Sequence, residues 1–430
     1  MMAEKLALDG GPRTVPEGMV KSWPPHGERE RQAIMEVFDS DVFHGNSAPH
    51  AVEMQERWAE YCGCKYALVT NSGTSALHMA VAGAGVLPGD EVITSAFSFW
   101  ASAAAILHHC AIPIFVDIDP VYYTIDPSLI EDKITERTAA ILPVHIHGMP
   151  ADLDPIFEIA DSHDLKVVHD ACQAHGATYK GQTIGGIPFT TGFSTNRSKN
   201  LSSGEGGIFT TDDDDAYEHA RRMREFGEVV PPSGQQREYN AFGLGWNYRP
   251  HEFVNAFMLA QFERFEDNNA RRIEFAQLLT DGLEDIPGVA GPPEPPWGQP
   301  VYFTYVVEFR PEEVGLDCTA GEMKTACVKA LGAEGIGLGQ WQTRPIPGQD
   351  VFLQKEGFGR GVPWVLNPDV EYEYRGEDYP LTVEFIAAHS YLRGVYPPND
   401  MELMGLYLDG FRKVMGNIDR VMELAEEDEQ

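Results

Sequence analysis

The stretch Tyr66-Ala67-Leu68-Val69-Thr70-Asn71-Ser72-Gly73-Thr74-Ser75 decides the fold class. Residues 66–69 form a short apolar run that reads as a buried strand, and the polar turn after it opens directly into the helical pattern of 74–84. The same alternation repeats downstream. Residues 91–94, 114–116, 140–144 and 165–168 read as further buried strands, with helical segments at 98–109 and 152–163 between them. Strands alternating with helices predict an α/β fold whose sheet is mostly parallel and covered by helices on both faces. Functional sites in such sheets gather at the carboxyl ends of the strands.

Further along, the strand after residue 188 runs into a glycine-rich hairpin, Gly204-Glu205-Gly206-Gly207, followed by Ile208-Phe209-Thr210-Thr211. A hairpin forces its second strand to reverse, so the sheet is expected to contain one antiparallel member. One long helix is predicted from about Glu252 to Leu283, apolar around much of its girth and suited to bridging domains or subunits. Residues 286–300 hold six prolines, which are expected to preclude regular structure. That stretch divides the chain into an N-terminal segment with a large domain, 1–285, and a smaller C-terminal domain, 286–430. In the latter, 302–309 reads as a strand, Thr319-Ala320-Gly321-Glu322 has capping-box spacing before a helix, and 398–427 is a helical tail.

The chain has 430 residues, of which 43% are hydrophobic and 23% charged, an ordinary globular composition. Acidic residues number 66 against 32 basic, a formal net charge of -34. Such a field repels polyanions and argues against a nucleic-acid partner, so any phosphate must be held locally by backbone N–H groups and a few side chains. The excess of carboxylates reads first as a solvated soluble surface and second as adaptation to a salty cytoplasm. The six cysteines are too sparse for a disulfide scaffold, which points to a reducing, cytoplasmic setting. Cys62-Gly63-Cys64 lacks a second ligand pair and reads as packing, so no metal site is expected. The first residues do not follow signal-peptide order, and no apolar run approaches a membrane span.

Three segments carry chemistry. Asn71-Ser72-Gly73-Thr74-Ser75 places free N–H groups and the positive end of a helix beside two hydroxyls, which is a cradle for an anion, although a Ser/Thr helix cap gives the same pattern. Val167-Val168-His169-Asp170 puts a carboxylate at the end of a buried strand, where it can cap, ligate a metal or pair with a protonated ring nitrogen. Finally, Lys199 lies between a strand and the glycine-rich hairpin. A lysine desolvated at such a place can form a Schiff base with a carbonyl compound. Cradle, carboxylate and lysine in this order are the parts that pyridoxal phosphate requires.

At these residues the chain resembles the DegT/StrS sugar aminotransferases, a branch of the fold-type-I pyridoxal-phosphate enzymes. The resemblance runs from about residue 20 to 425 and is densest at NSGTSALHMA, GDEVI, PIFVDID, VVHDACQAHGA, FSTNRSKNLSSGEGG and GWNYRPHEF. It implies a large domain with a mostly parallel sheet flanked by helices and a smaller C-terminal α+β domain. It also implies roles for residues. Lys199 matches the Schiff-base lysine and proton shuttle, and Asp170 the partner of the pyridine nitrogen. Gln173 falls near the ring's phenolic oxygen, Gly73, Thr74 and Ser194 match phosphate contacts, and Phe99 matches the aromatic that stacks on the ring. Asn247 matches a residue that reaches the phosphate of a neighbouring subunit's cofactor, which implies a homodimer with shared sites. Arg197 and Arg249 are candidates for the donor carboxylate, and His175 reads as structural.

There are departures as well. Where the family often carries a His before a Gly after the helix near 214–225, this chain has Phe226-Gly227, so a role for that His is absent or moved. A related dehydratase branch replaces the lysine by His, and Lys199 argues for amine transfer instead. Residues 340–349 and 357–364 look more like the ketocyclitol members than the nucleotide-sugar members. The expected reaction is therefore amino transfer from an amino acid, glutamine or glutamate, to a keto-cyclitol or keto-sugar. The alternatives are a nucleotide-linked keto-sugar acceptor or a non-catalytic cofactor-binding regulator; Lys199, Asp170 and Gln173 count against the latter. A nicotinamide oxidoreductase would need GxGxxG after the first strand, which the chain lacks.

Overall fold

In β1 (Tyr66–Thr70), β2 (Glu91–Ser95), β3 (Ile112–Val116), β4 (Thr138–Leu142) and β5 (Lys166–Asp170) nearly every side chain is buried, because helices cover both faces of the sheet they form. The structure is a computed structural model and describes residues 4–45, 48–231, 236 and 238–429. A small hairpin, β6 (Thr178–Tyr179) and β7 (Gln182–Thr183), leads to β8 (Thr190–Ser194) and β9 (Gly207–Thr211). The seven-stranded sheet has the order β1-β9-β8-β5-β4-β2-β3. β2 is parallel to β3 and β4, β4 to β5, and β5 to β8. β9 runs antiparallel to both β8 and β1, as the glycine-rich hairpin requires.

The first half supplies α1 (Glu28–Ser40), α2 (Pro49–Cys62), α3 (Gly73–Gly83), α4 (Ala101–His108), α5 (Leu153–Ser162) and α6 (Asp214–Arg224). α3 is buried from Gly73 to Val81 apart from Thr74, and it presses on β8 so closely that a Cβ on Gly192 would lie 2.8 Å from Leu77 Cδ2 and 3.0 Å from its N. Only glycine allows that approach. Cys62 is buried in the core beneath the sheet, with Trp58 and Phe193.

The expected helix over 252–283 is two helices, α7 (Glu252–Phe262) and α8 (Phe265–Glu284). Arg264 leaves helical geometry at φ -121°, ψ 12°, and pairs with Glu30 of α1, while Gln261 Nε2 donates to Glu30 Oε1 at 2.8 Å and to Pro25 O at 2.9 Å. The break lets each helix meet a different partner. Ala256 and Ala260 of α7 pack on Ala33 and Val37 of α1, whereas Phe275, Leu279 and Leu283 of α8 enter a second core.

That second core lies around β10 (Val289–Ala290), β12 (Tyr305–Phe309), β13 (Leu338–Gly339) and β14 (His389–Leu392), in the order β10-β12-β14-β13. The six-proline stretch is not devoid of regular structure: β10 pairs with Phe309 and Glu308, and β11 (Gly298–Gln299) pairs with β6, each two residues long because proline limits the ladder. α9 (Ala320–Ala333) starts on the capping box, with Glu322 N–H donating to Thr319 Oγ1 at 3.2 Å and Thr319 N–H to Glu322 Oε2 at 2.7 Å. α10 (Asp350–Gln354) and α11 (Pro380–Ala388) follow, and the tail splits at Gly416-Asn417 into α12 (Met401–Met415) and α13 (Ile418–Glu429). Leu6 and Val15 also lie in this second core, tied down by Glu334, which accepts from Ala7 N–H at 2.8 Å and pairs with buried Lys413 Nζ at 2.8 Å. Phe352, Trp364 and Tyr374 lay the 350–374 stretch over Phe115 of β3, with Tyr374 OH donating to Pro113 O at 3.0 Å. Among the described residues no helix is long and apolar enough to cross a membrane.

Candidate active site

The carboxyl ends of β1, β2, β5 and β8 converge on one cavity of about 370 Å³. Ser72, Gly73 and Thr74 follow β1; Ser98 and Phe99 follow β2; Asp170 ends β5, with Cys172 and Gln173 next; Ser194 ends β8, and Lys199 sits in the loop leading to β9. All of them line this cavity. The topology thus gathers residues more than a hundred positions apart, because these four strands point the same end at the cavity.

At the first strand end, Ser72 caps α3 by accepting from Ser75 N–H at 3.1 Å. The N–H groups of Gly73 and Thr74 have no acceptor among the described residues, as the first turn of a helix dictates. Gly73 is required there: a Cβ would lie 2.4 Å from Ser194 Cβ and 2.9 Å from its Cα and Oγ. The cradle and the end of β8 are in direct contact.

Asp170 is buried and fixed from two sides. Ser102 Oγ donates to its Oδ2 at 2.6 Å, and Cys172 N–H donates to its Oδ1 at 3.0 Å. Gln173 Oε1 accepts from His147 N–H at 2.8 Å, which leaves the NH₂ end of that amide free to donate elsewhere. The His147 backbone that makes this bond is itself in the left-handed region, at φ 58°.

Lys199 lies 4.2 Å over the Phe303 ring, and its backbone carbonyl accepts from Trp23 Nε1 at 3.0 Å. Burial pushes its ammonium below the usual lysine range, with the nearby Cys172 and Asp170 opposing the shift. A lysine so placed holds a larger neutral fraction than a surface one and is correspondingly more nucleophilic. Burial also holds the His175 and His147 imidazoles at about 3, so both are neutral. His175 packs between Trp58 and Phe193, a core position.

Phe99 is 51% exposed and lines the cavity. The remaining candidates lie elsewhere. Asn247 is exposed and does not line the cavity; its carbonyl accepts from Asn71 Nδ2 at 3.2 Å and its Oδ1 from Arg249 Nε at 3.2 Å. Arg249 also faces Glu225 Oε2 at 3.5 Å and stacks 5.2 Å over Phe226, so the residue at the family's His position packs on this arginine. Arg197 is exposed, with its N–H donating to Gly204 O at 2.7 Å. Neither arginine lines the cavity. Residues that sequence reasoning missed are Ser102, which carries no motif beyond its place in the first turn of α4, and Trp341, Phe303 and Glu205, which also line the cavity.

Strand order, the single antiparallel β9 and a desolvated lysine opposite a helix N-terminus define the class of α/β transferases that work with pyridoxal phosphate. The chain belongs to the DegT/DnrJ/EryC1/StrS aminotransferase family, which it matches over residues 24–360. It is an aminotransferase. It is 36% identical to an L-glutamine:scyllo-inosose aminotransferase of Streptomyces griseus, over 73% of this chain and 76% of that one. A GDP-perosamine synthase of Caulobacter vibrioides is 35% identical over 74% of this chain and 81% of its own. Among solved structures, S. venezuelae DesV in complex with a ketimine intermediate superposes with a TM-score of 0.78 at 29% identity, covering 90% of this chain and 94% of DesV.

Proposed function

We propose that the chain binds pyridoxal 5′-phosphate in this cavity and moves an amino group from an amino acid, glutamine or glutamate, to a keto-cyclitol or keto-sugar. The observation that carries the reading is the joint lining of one cavity by Lys199, Asp170 and the unpartnered N–H groups of Gly73 and Thr74. When bound, the cofactor supplies an aldehyde and a ring that accepts the electron pair released at the donor's Cα. Gly73 and Thr74 N–H, with the Ser194 hydroxyl, would hold its phosphate at the positive end of α3. Asp170, oriented by Ser102 and the Cys172 N–H, would keep the proton on the ring nitrogen. Gln173 would donate from its free NH₂ to the phenolic oxygen, and Phe99 would cover a ring face. Lys199, its amine kept more neutral by burial, would hold the aldehyde carbon and then move the proton from the donor's Cα.

The inosose aminotransferase relative supports a keto-cyclitol acceptor, and the perosamine synthase supports the nucleotide-linked keto-sugar as second reading. The experiment is a panel: the cofactor-loaded protein is given glutamine, glutamate or alanine with keto-cyclitols or nucleotide keto-sugars, and the amine product is read by mass spectrometry. No amine from any pair contradicts the reading.

We also infer a homodimer with shared sites. Asn247 lies outside its own chain's cavity, on a segment whose Phe242, Trp246 and 90%-exposed Leu244 present apolar area to solvent. A second copy covering that segment would bring Asn247 to the neighbour's phosphate. All six cysteines are unpaired, which supports a reducing, cytoplasmic setting.

A further inference from the structure

One wall of the cavity is left without a role by amino transfer as described. Trp341 lines it beside Phe99, its ring within 18° of parallel to that of Phe99 at 6.3 Å between centroids. Three rings meet it near edge-on from the protein side: Phe97 at 5.9 Å and 89°, His147 at 5.8 Å and 69°, and Tyr391 at 6.2 Å and 83°. Such contacts fix the plane of an indole.

The loop is fixed as well. Gln342 Nε2 donates to Ser98 O at 3.0 Å, in the turn that carries Phe99. Gln340 Nε2 donates to Ile386 O at 3.1 Å, while its Oε1 accepts from Lys324 Nζ at 2.9 Å. Trp341 is therefore held at both sequence neighbours and on its packed side, and a ligand resting on it need not order it first.

Its chemistry narrows the ligand. The indole N–H has no acceptor among the described residues. Glu205 lines the same cavity, one oxygen engaged by Asn196 Nδ2 at 2.8 Å. Among the described residues Lys199 is the cation in the lining, and no arginine joins it. A flat aromatic face offers dispersion to the C–H face of a saturated ring, a free indole N–H donates to a hydroxyl oxygen, and a carboxylate accepts from hydroxyl hydrogens. A diphosphate in the same space would bring its charges toward Glu205, with no arginine among the described residues of the lining.

We propose that Trp341 is the specificity-determining face on which the acceptor's ring rests, and that this site selects an uncharged, hydroxyl-bearing cyclic ketone over a nucleotide-linked one. The proposal rests on the amino-transfer reading above.

The test separates the two half-reactions. In cofactor-loaded Trp341→Ala, the donor half-reaction with glutamine or glutamate, followed by the cofactor's absorbance, should stay within about twofold of wild type. The KM for a keto-inositol should rise about tenfold or more, the usual cost of truncating a tryptophan that carries binding. Calorimetric titration with inositol, the unreactive hydroxy counterpart, should weaken in parallel. Trp341→Phe keeps an aromatic face and should lose no more than about threefold by the same scale. Should the alanine variant misfold, Trp341→Leu keeps apolar bulk without the aromatic face and should behave as alanine is predicted to. An unchanged acceptor KM in the alanine or leucine variant overturns the proposal, and so does an equal slowing of the donor half-reaction, which would make Trp341 a wall of the cofactor site. A wild-type enzyme that prefers nucleotide keto-sugars overturns the selection claim while leaving amino transfer intact. Absence of any donor half-reaction in wild type would instead sink the amino-transfer reading.

Discussion

Replacing Gly73 by alanine tests the contact on which the anion cradle depends. By helix propensity the change is favourable, since alanine in a helix is worth up to about 1 kcal/mol over glycine. The structure predicts the opposite sign. The new methyl would stand 2.4 Å from Ser194 Cβ and 2.9 Å from Ser194 Cα, and so α3 and the end of β8 must separate by about 1 Å to restore ordinary contact in a close-packed interior. Overpacking of this kind costs about 1–3 kcal/mol. Because the displaced atoms are those proposed to hold the phosphate, much of the cost should appear in cofactor binding, a loss of about 5- to 150-fold at about 1.4 kcal/mol per decade. The assay is titration of the cofactor-free protein with pyridoxal phosphate, followed by absorbance, beside thermal unfolding without cofactor. Gly73→Ala with wild-type affinity and an unchanged or raised Tm would refute the argument.

Other predictions follow from charge, burial and assembly. Lys413→Met leaves Glu334 buried without its cation, and should cost about 3–5 kcal/mol in urea unfolding; a loss under 1 kcal/mol would contradict the buried pairing. Burial holds His78, His147, His175 and His389 at about 3 and His169 at about 4, under the ~6.5 of an unfolded chain. The unfolded state therefore binds more protons, so stability is full above about pH 6.5 and falls as pH drops toward 3, by up to about 1.4 kcal/mol per pH unit for each group. A free energy of unfolding that stays flat between pH 7.5 and 5 would contradict this. Finally, mixing inactive Lys199→Ala and Asn247→Ala proteins, each folded and able to exchange subunits, should restore up to about half the wild-type sites in a pure heterodimer; exchanged heterodimers that stay inactive would remove Asn247 from the shared site.

The strand-to-helix grammar around residues 66–84 and 165–199 is local, which is why Gly73, Asp170 and Lys199 could be singled out from sequence and why the structure brings them to one cavity. What local pattern could not convey was contact across the chain. Ser102 and Asp170 are 68 residues apart, and nothing in the first turn of α4 announces that its hydroxyl meets that carboxylate. Trp341 arrives from beyond the proline-rich stretch, and its place beside Phe99 depends on hydrogen bonds such as Gln342 to Ser98. The 252–283 pattern is apolar around much of its girth and carries no proline or glycine before Gly282, so periodicity alone reads it as one helix; at the turn Glu263-Arg264, Arg264 pairs with Glu30, more than 230 residues earlier. In the six-proline stretch, prolines limit ladders but do not forbid two-residue ones, and β10 and β11 use the gaps between them.

The central claim is that Lys199 is the residue that takes the cofactor. Borohydride reduction of the cofactor-saturated protein, followed by peptide mapping, tests it directly. The account predicts that the pyridoxyl group is fixed on the peptide containing Lys199 and that Lys199→Ala carries none; a reduced adduct on another lysine, or none at all in saturated wild-type protein, would contradict it.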